Sequence, residues 1–372
     1  MKILFAFSYS SDMFSIVLLN HLSKLHNINI LSYADEENIT KQLLGLDRIL
    51  SIRRPRKKTN VYLSKLIQLI KLVEINVKWT LHFFSFKPKI VFVSSPIYLI
   101  SVIICGLFIK FKLVYESQDI VYSGPLKNYS RLLERFIWKK IDLFIPKTES
   151  IVSYYISTYG PISNFFVFYY TYPHEIEDNL DLGRYYFHDL YGIDYNIKLF
   201  VSSGTTVECR HIESLINVFS DQSIEAHLIF IGFDFNDDLL SIINFQPRIH
   251  LHPFISREKL HCYLSLCDYG LNLLDCLENP NYYYSIPVKF WDYYYAGLYQ
   301  ITSNIPELSR LNSRLQAGLI LEEFTETKLL KLVQNLEKCG ITKRIIPNYD
   351  YFSIHSQFER FDEVIYSLGE NK

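Results

Sequence analysis

Residues 279–308 read NPNYYYSIPVKFWDYYYAGLYQITSNIPEL. The stretch parses as a loop, a short helix, a break and a strand. Pro287 suits the first helical position, where its missing N–H has no partner to lose and its φ is preset. Gly297 suits the residue just past the helix end, where a left-handed conformation costs little. Between them Lys289 and Asp292 stand three residues apart, on one face of the helix and close to its start. A helix N-terminus offers unpaired N–H groups and a partial positive charge, which together hold a phosphate, and Lys289 adds a full charge. Asp292, one turn further in, can accept from two neighbouring hydroxyls such as those of a ribose. The pattern points to a nucleotide diphosphate at a helix start; a surface helix with solvated Lys and Asp is the other reading.

Outward from there, 372 residues make two domains of ordinary size, and 49% hydrophobic with 21% charged residues is a globular composition. The excess of Phe, Tyr, Ile, Asn and Lys matches AT-rich coding, so the Tyr clusters are weak signals of function. Six cysteines at 105, 209, 262, 267, 276 and 339 contain no Cys-x-x-Cys pair and read as reduced thiols. The opening residues lead straight into an apolar strand without a cleavage-site pattern, so a cytoplasmic chain is expected. Residues 1–172 hold 22 Lys and Arg against 11 Asp and Glu, net +11, while residues 173–372 hold 16 against 28, net −12. A basic half joined to an acidic half implies two domains with different partners.

The chain alternates strand and helix patterns throughout. Residues 2–7 form a strand candidate, followed by the loop SYSSD, a helical pattern over 13–25 and a second strand at 29–33. The cluster RRPRKK at 53–58 precedes a helical pattern over 61–86, with Leu63, Leu66, Ile67, Ile70, Val73, Val77 and Leu81 on one face. That combination reads as a basic membrane-surface element or as a core-packing helix beside a solvated loop. A nucleic-acid patch ranks behind both, because no aromatic-interleaved binding motif accompanies it. Residues 90–109 lack charge and are long enough to span a bilayer, but Ser94-Ser95-Pro96 divides them into a buried strand and a buried helix. Strands are expected at 112–117, 141–145 and 165–170, with a helix over 132–141. In the second half strands are expected at 198–203, 227–232, 248–251 and 268–274, and helices at 212–219, 324–339 and 349–366. His250, His252, His261 and Cys262 match no metal-ligand spacing, and no metal site is expected.

SIPVKFWDYYYAGL followed by SNIPEL resembles the donor-site signature of GT-B glycosyltransferases of the glycosyltransferase family 4 type, as found in bacterial surface polysaccharide biosynthesis. The resemblance implies an α/β fold of two Rossmann-like domains with parallel sheets facing a cleft and a C-terminal helix crossing back to the first. On this sequence that gives an acceptor-side domain at 1–172, a nucleotide-sugar domain at 173–347 and the returning helix at 348–372. It implies donor-binding roles for Gly204, Thr205, Arg210, Ile255, Tyr284, Ser285, Lys289 and Asp292, of which Arg210, Lys289 and Asp292 are the catalytic candidates. Ser256 is expected to cap the helix after Ile255. The acceptor-side candidates are Ser10, Ser11, Glu116, Gln118 and Asp119. Two departures stand out: Tyr284 replaces the first Glu of the family's pair, and Gln118 replaces a His. The implied activity is sugar transfer from a nucleotide sugar to a growing surface polysaccharide, capsule, lipopolysaccharide or lipid-linked glycan, with retention and without a cofactor or bound metal. The implied partners are the nucleotide sugar, the glycan acceptor and an anionic membrane surface at the inner face of the cell membrane, with no nucleic acid. A sugar-nucleotide 2-epimerase and a non-catalytic sugar-nucleotide or glycan-binding homologue are the alternatives.

Overall fold

In a computed structural model the chain is described over residues 1–7, 13–32, 49–51, 61–117, 120, 127–169, 171, 182–204, 210–276, 279–339, 345–346 and 352–370. Ser10, Ser11, the cluster at 53–58, Gln118, Asp119 and Thr205 lie outside these residues. The chain divides into two compact units, one of residues 1–170 and 354–372 and the other of residues 171–353.

The first unit carries strands β1 (Lys2–Phe7), β2 (Asn27–Ser32), β3 (Ile49–Ser51), β4 (Ile90–Val93), β5 (Lys112–Ser117) and β6 (Leu143–Pro146). They pair in parallel in the order β3-β2-β1-β4-β5-β6. Strands buried on both faces read as continuous apolar runs, and every residue of β4 and β6 is buried. Helices α1 (Met13–Leu25), α2 (Val61–Phe86), α3 (Leu99–Gly106), α4 (Lys127–Ile137) and α5 (Glu149–Tyr159) connect them. The uncharged run at 90–109 is indeed a strand and a helix, and among the described residues no helix is long and apolar enough to cross a membrane.

Two expectations need correction here. The helix expected at 132–141 begins earlier, at Lys127, and gives way to a 3-10 turn at Trp138–Lys140. The expected strand at 165–170 is only a bridge, Phe144 to Phe165, continued by backbone bonds from Phe166 to Phe144 and from Phe168 to Pro146. Its apolar side chains are extended along β6, but the ladder is too sparse to make a strand.

The last helix of the chain, α14 (Ile354–Glu370), belongs to the first unit. Phe358, Phe361, Ile365 and Leu368 enter the same core as Ile3, Phe5, Ile90 and Val114. Gln357, fully buried, accepts from the Tyr169 N–H at 2.8 Å and donates to its carbonyl at 3.2 Å. His21 meets Asp362 at 2.9 Å.

The second unit repeats the plan. Strands β7 (Leu199–Ser203), β8 (His227–Ile231), β9 (Ile249–His252), β10 (Tyr269–Asn272), β11 (Tyr299–Ser303) and β12 (Gly318–Leu321) pair in parallel in the order β12-β11-β10-β7-β8-β9. Counted from β7 this is 3-2-1-4-5-6 read from the other edge, the Rossmann order already present in the first unit. Its helices are α6 (Tyr186–Tyr191), α7 (Ile212–Ser220), α8 (Asp237–Ile243), α9 (Arg257–Leu264), α10 (Pro280–Tyr284), α11 (Val288–Tyr295), α12 (Pro306–Leu315) and α13 (Glu326–Lys338). Strand order reverses between β7 and β10, and ligands of such sheets bind beyond the carboxyl ends of the strands at that point.

Candidate functional site

A cavity of about 520 Å³ opens at this switch point in the second unit. Ser203 and Gly204 from the end of β7, Gly232 after β8 and Asn272 at the end of β10 form its floor, and α11 presents its first turn from the side. The stretch at 279–308 thus supplies one wall, with two local differences from expectation. Residues 280–284 form the short helix α10 rather than loop, and Pro287 is the cap of α11 instead of its first residue. Gly297 has φ +69, the left-handed conformation that ends a helix.

The tyrosines of α11 hold it in place. The Tyr293 ring lies over Gly270, where any Cβ would come within 2.6 Å of the ring. The Tyr293 hydroxyl accepts from the Ser203 N–H at 3.0 Å, so the helix ties off the end of β7 directly. Gln300, buried on β11, donates to the Phe290 carbonyl at 2.9 Å. Ser303 accepts from the Leu274 N–H at 2.8 Å, which fixes the loop following β10. Tyr293, one of the tyrosines that looked compositional, is therefore part of the framework behind the site.

On this frame Lys289 and Asp292 are both buried and both line the cavity. Asp292 is 6% exposed, and burial pushes its pKa up to about 6 against the opposing pull of Arg257 and Lys289. Arg257, on the first turn of α9, approaches it at 3.7 Å. Among the described residues Asp292 Oδ1 makes no hydrogen bond, and neither does Asn272 Oδ1, although both are buried. Arg210 reaches the cavity from the segment before α7. Among the described lining residues, Arg210, Arg257 and Lys289 against Asp292 leave a net charge of +2 around a space that is otherwise largely apolar.

Of the expected donor residues, Gly204, Arg210, Ile255, Ser285, Lys289 and Asp292 line the cavity together. Tyr284 does not: it closes α10, and Tyr282, two residues earlier, faces the cavity instead. Ser256 stands at the cap of α9 without the capping hydrogen bond from its side chain. Glu116, an acceptor-side candidate, is 3% exposed on β5 of the first unit. Sequence reasoning missed Arg257, Asn272 and Tyr282. Arg257 was readable only as the residue after a helix cap, and its pairing with a carboxylate 35 positions on depends on how α9 and α11 pack. Among the described residues no three His, Cys, Asp or Glu side chains gather as metal ligands would.

Gly204 has φ +125, and a Cβ added there would overlap the Arg210 guanidinium. Gly204→Ala is expected to destabilise the second unit by about 1–3 kcal/mol, since L residues rarely adopt this conformation and the Arg210 side chain must move. A urea midpoint equal to wild type would show that the loop relaxes without strain.

No family model matches the chain, and no curated protein matches its sequence. Solved structures do match. The chain is similar to HepE of Anabaena in complex with UDP, at 12% identity and a TM-score of 0.74, covering 99% of this chain and 100% of that one. A glycosyltransferase of Rickettsia africae matches at 12% identity and TM-score 0.70, over 100% of this chain and 99% of the other. The lipopolysaccharide outer core galactosyltransferase WaaB matches at 12% identity and TM-score 0.66, over 99% of each chain. Two Rossmann-ordered parallel sheets, the returning α14 and full-length likeness to these glycosyltransferase structures establish that this chain has the GT-B fold.

Proposed function

We propose that this chain is a glycosyltransferase that moves a sugar from a nucleotide-sugar donor to a growing surface polysaccharide, of capsule or lipopolysaccharide type, or to a lipid-linked glycan. The observation that carries this is the buried Asp292 carboxylate, with one oxygen lacking a hydrogen bond, set between Lys289 and Arg257 at the sheet's switch point. A buried acceptor that makes no hydrogen bond, and only a 3.7 Å ion pair with Arg257, costs about 1–3 kcal/mol at most, and a ribose or sugar hydroxyl in the cavity offsets that. Arg210, Lys289 and the start of α11 stabilise the leaving diphosphate, with Arg257 adding a third cation. Three cations and a helix start supply the charge that a metal supplies elsewhere, so the proposed reaction is metal-independent and needs no cofactor beyond the donor; retention is proposed from the family resemblance alone. The basic half of the chain holds the enzyme peripherally at the inner membrane face, where a lipid-linked acceptor resides.

UDP is the first nucleotide to test, since HepE was crystallised with UDP and with UDP-glucose. Lys289→Ala and Arg210→Ala are each expected to weaken UDP or the preferred donor by roughly ten- to a hundredfold, the value of one charge-assisted phosphate contact. Calorimetry reads this directly, and sugar release from a panel of nucleotide sugars, with and without acceptor, separates transfer from epimerisation and from binding alone. Unchanged affinity in both variants would remove the diphosphate assignment.

A further inference from the structure

Helix α2 is apolar on two faces. Ile75, Trp79, Phe83 and Phe86 are buried, on the side where the helix packs on α3 and the 3-10 turn Pro96–Tyr98. The face marked by sequence periodicity is the other one: Ile70, Val73, Val77 and Leu81 are 52–67% exposed. At 100° per residue these four and Phe84 fall within an arc of about 80°, opposite the buried face, in a stripe roughly 20 Å long. Core packing therefore explains one side of the helix and leaves the stripe unexplained.

The stripe does not end with the helix. The Phe84 ring meets the Phe108 ring edge-on at 5.9 Å, and Phe108 and its neighbour Leu107, just past α3, are 71% and 74% exposed. Directly beside them a second cavity, of about 540 Å³, opens at the amino ends of β4 and β5, the sheet edge opposite the one where Rossmann folds bind nucleotides. Lys89, Lys110, Lys112 and Lys140 line it, over an apolar floor that includes Ile109 and Ile137. Lys112 is paired with Asp142 at 3.1 Å, so the cavity carries three lysines beyond that pair. Lys89, Lys110 and Lys140 are exposed at its rim, Lys140 extending over the exposed Phe136 ring at 4.9 Å.

Residues 61–140 hold 12 Lys and Arg against 4 Asp and Glu, and two of those four, Glu116 and Glu134, are buried. Exposed apolar patches of this extent mark interaction surfaces, and the surrounding positive charge selects the partner. We infer that this face binds an anionic phospholipid bilayer: the stripe and Leu107-Phe108 enter the headgroup boundary, and the lysine-lined cavity receives a lipid phosphate. Apolar side chains at that depth with lysines beside them are the two contributions that hold an interfacial helix. The assignment deepens the membrane residence proposed above and rests on it for its purpose, but not for its chemistry.

The test is co-sedimentation of the full chain with vesicles of phosphatidylcholine alone and of phosphatidylcholine with about one-third phosphatidylglycerol. Wild type is expected to bind the anionic vesicles and to lose binding as salt is added. Lys89→Ser, Lys110→Ser and Lys140→Ser together are expected to weaken it roughly a hundredfold, at about fivefold per lysine. Val77→Ser, Leu81→Ser and Phe108→Ser together are expected to weaken it at least about tenfold; all six positions are solvent-facing, and circular dichroism verifies the fold. Equal binding to both vesicle types overturns the inference. So does loss of binding only when Arg53, Arg54, Arg56, Lys57 and Lys58 are changed to Ser, which would move docking to that cluster. Self-association of wild type that the apolar triple abolishes would make the stripe a contact between copies and likewise overturn it. UDP affinity by calorimetry is measured on the same samples. Wild type that binds UDP but neither kind of vesicle rejects this surface alone, and wild type that binds anionic vesicles but not UDP rejects the proposed donor site alone.

Discussion

Asp292→Asn is expected to raise the melting temperature of the ligand-free protein at pH 8 and to leave it nearly unchanged at pH 4. Burial raises the carboxyl from 3.8 to about 6, so the folded state holds this proton more tightly than the unfolded state. A raised acid of this kind favours folding fully below the unfolded pKa, and that contribution disappears as pH rises through 6. Above about pH 7 the ionised, desolvated carboxylate is therefore a net liability of about 3 kcal/mol, at 1.36 kcal/mol per pKa unit. Asparagine escapes it. That figure already includes the pull of Arg257 and Lys289 on the carboxylate. A gain of about 3 kcal/mol corresponds to roughly 6–12 °C for a unit of this size. Nucleotide affinity should move the opposite way, falling roughly tenfold, because an amide offers one acceptor oxygen where the carboxylate offers two. Calorimetric scans at the two pH values, with titrations of ribose and deoxyribose nucleotides, check both halves. A variant less stable than wild type at pH 8 would mean that Asp292 is a structural anchor. An unchanged ribose preference would remove its contact with the ribose. Stability gained where binding is lost is the signature of a residue kept for its ligand.

The alternation of buried strands and helices was legible because parallel strands are apolar along their whole length, as in Ile90–Val93, and because proline and glycine punctuate the helix at Val288–Tyr295. Lys289 and Asp292 were legible as a pair since a helix brings positions three apart together. Arg257 was not, because its relation to Asp292 is made by packing between two helices and leaves no local periodicity. Tyr293 was obscured by composition: among 29 tyrosines nothing local marks the one whose hydroxyl ties off β7. The stripe on α2 shows a different limit. Periodicity identified an apolar face correctly, yet Trp79 and Phe83, off that face, carry the core contact. A spacing pattern says which residues share a side, and only the neighbouring elements, here α3 and the 3-10 turn before it, decide which side is covered.

Glu134→Ala is expected to destabilise the first unit by about 3–5 kcal/mol, the largest single effect outside the donor site. Glu134 is 2% exposed on α4 and accepts from three phenols: Tyr115 at 2.5 Å, Tyr155 at 2.9 Å and Tyr159 at 3.0 Å. Burial raises its pKa while the three phenol hydrogen bonds oppose the rise, and burial likewise pushes the Tyr115 and Tyr155 hydroxyls well up. Truncation leaves three phenols without this acceptor, two of them fully buried, at about 1–3 kcal/mol for each buried one. It also opens a void beside Tyr155, whose ring stacks on Trp138 at 5.4 Å. Glu134→Gln fills the volume and keeps one acceptor oxygen, but turns an N–H toward a phenol, so a loss of about 1–2 kcal/mol is expected. The urea midpoint should fall in that order, with the slope unchanged. Ser117 donates to the Tyr155 hydroxyl at 3.1 Å, so the network also fixes the carboxyl end of β5, next to the positions that the family resemblance assigns to the acceptor. Transfer to an acceptor should therefore decline in Glu134→Gln while UDP affinity, which the proposed donor site assigns to the other unit, holds. A change of less than about 0.5 kcal/mol in Glu134→Ala would show that the phenols find other partners and that the carboxylate is dispensable.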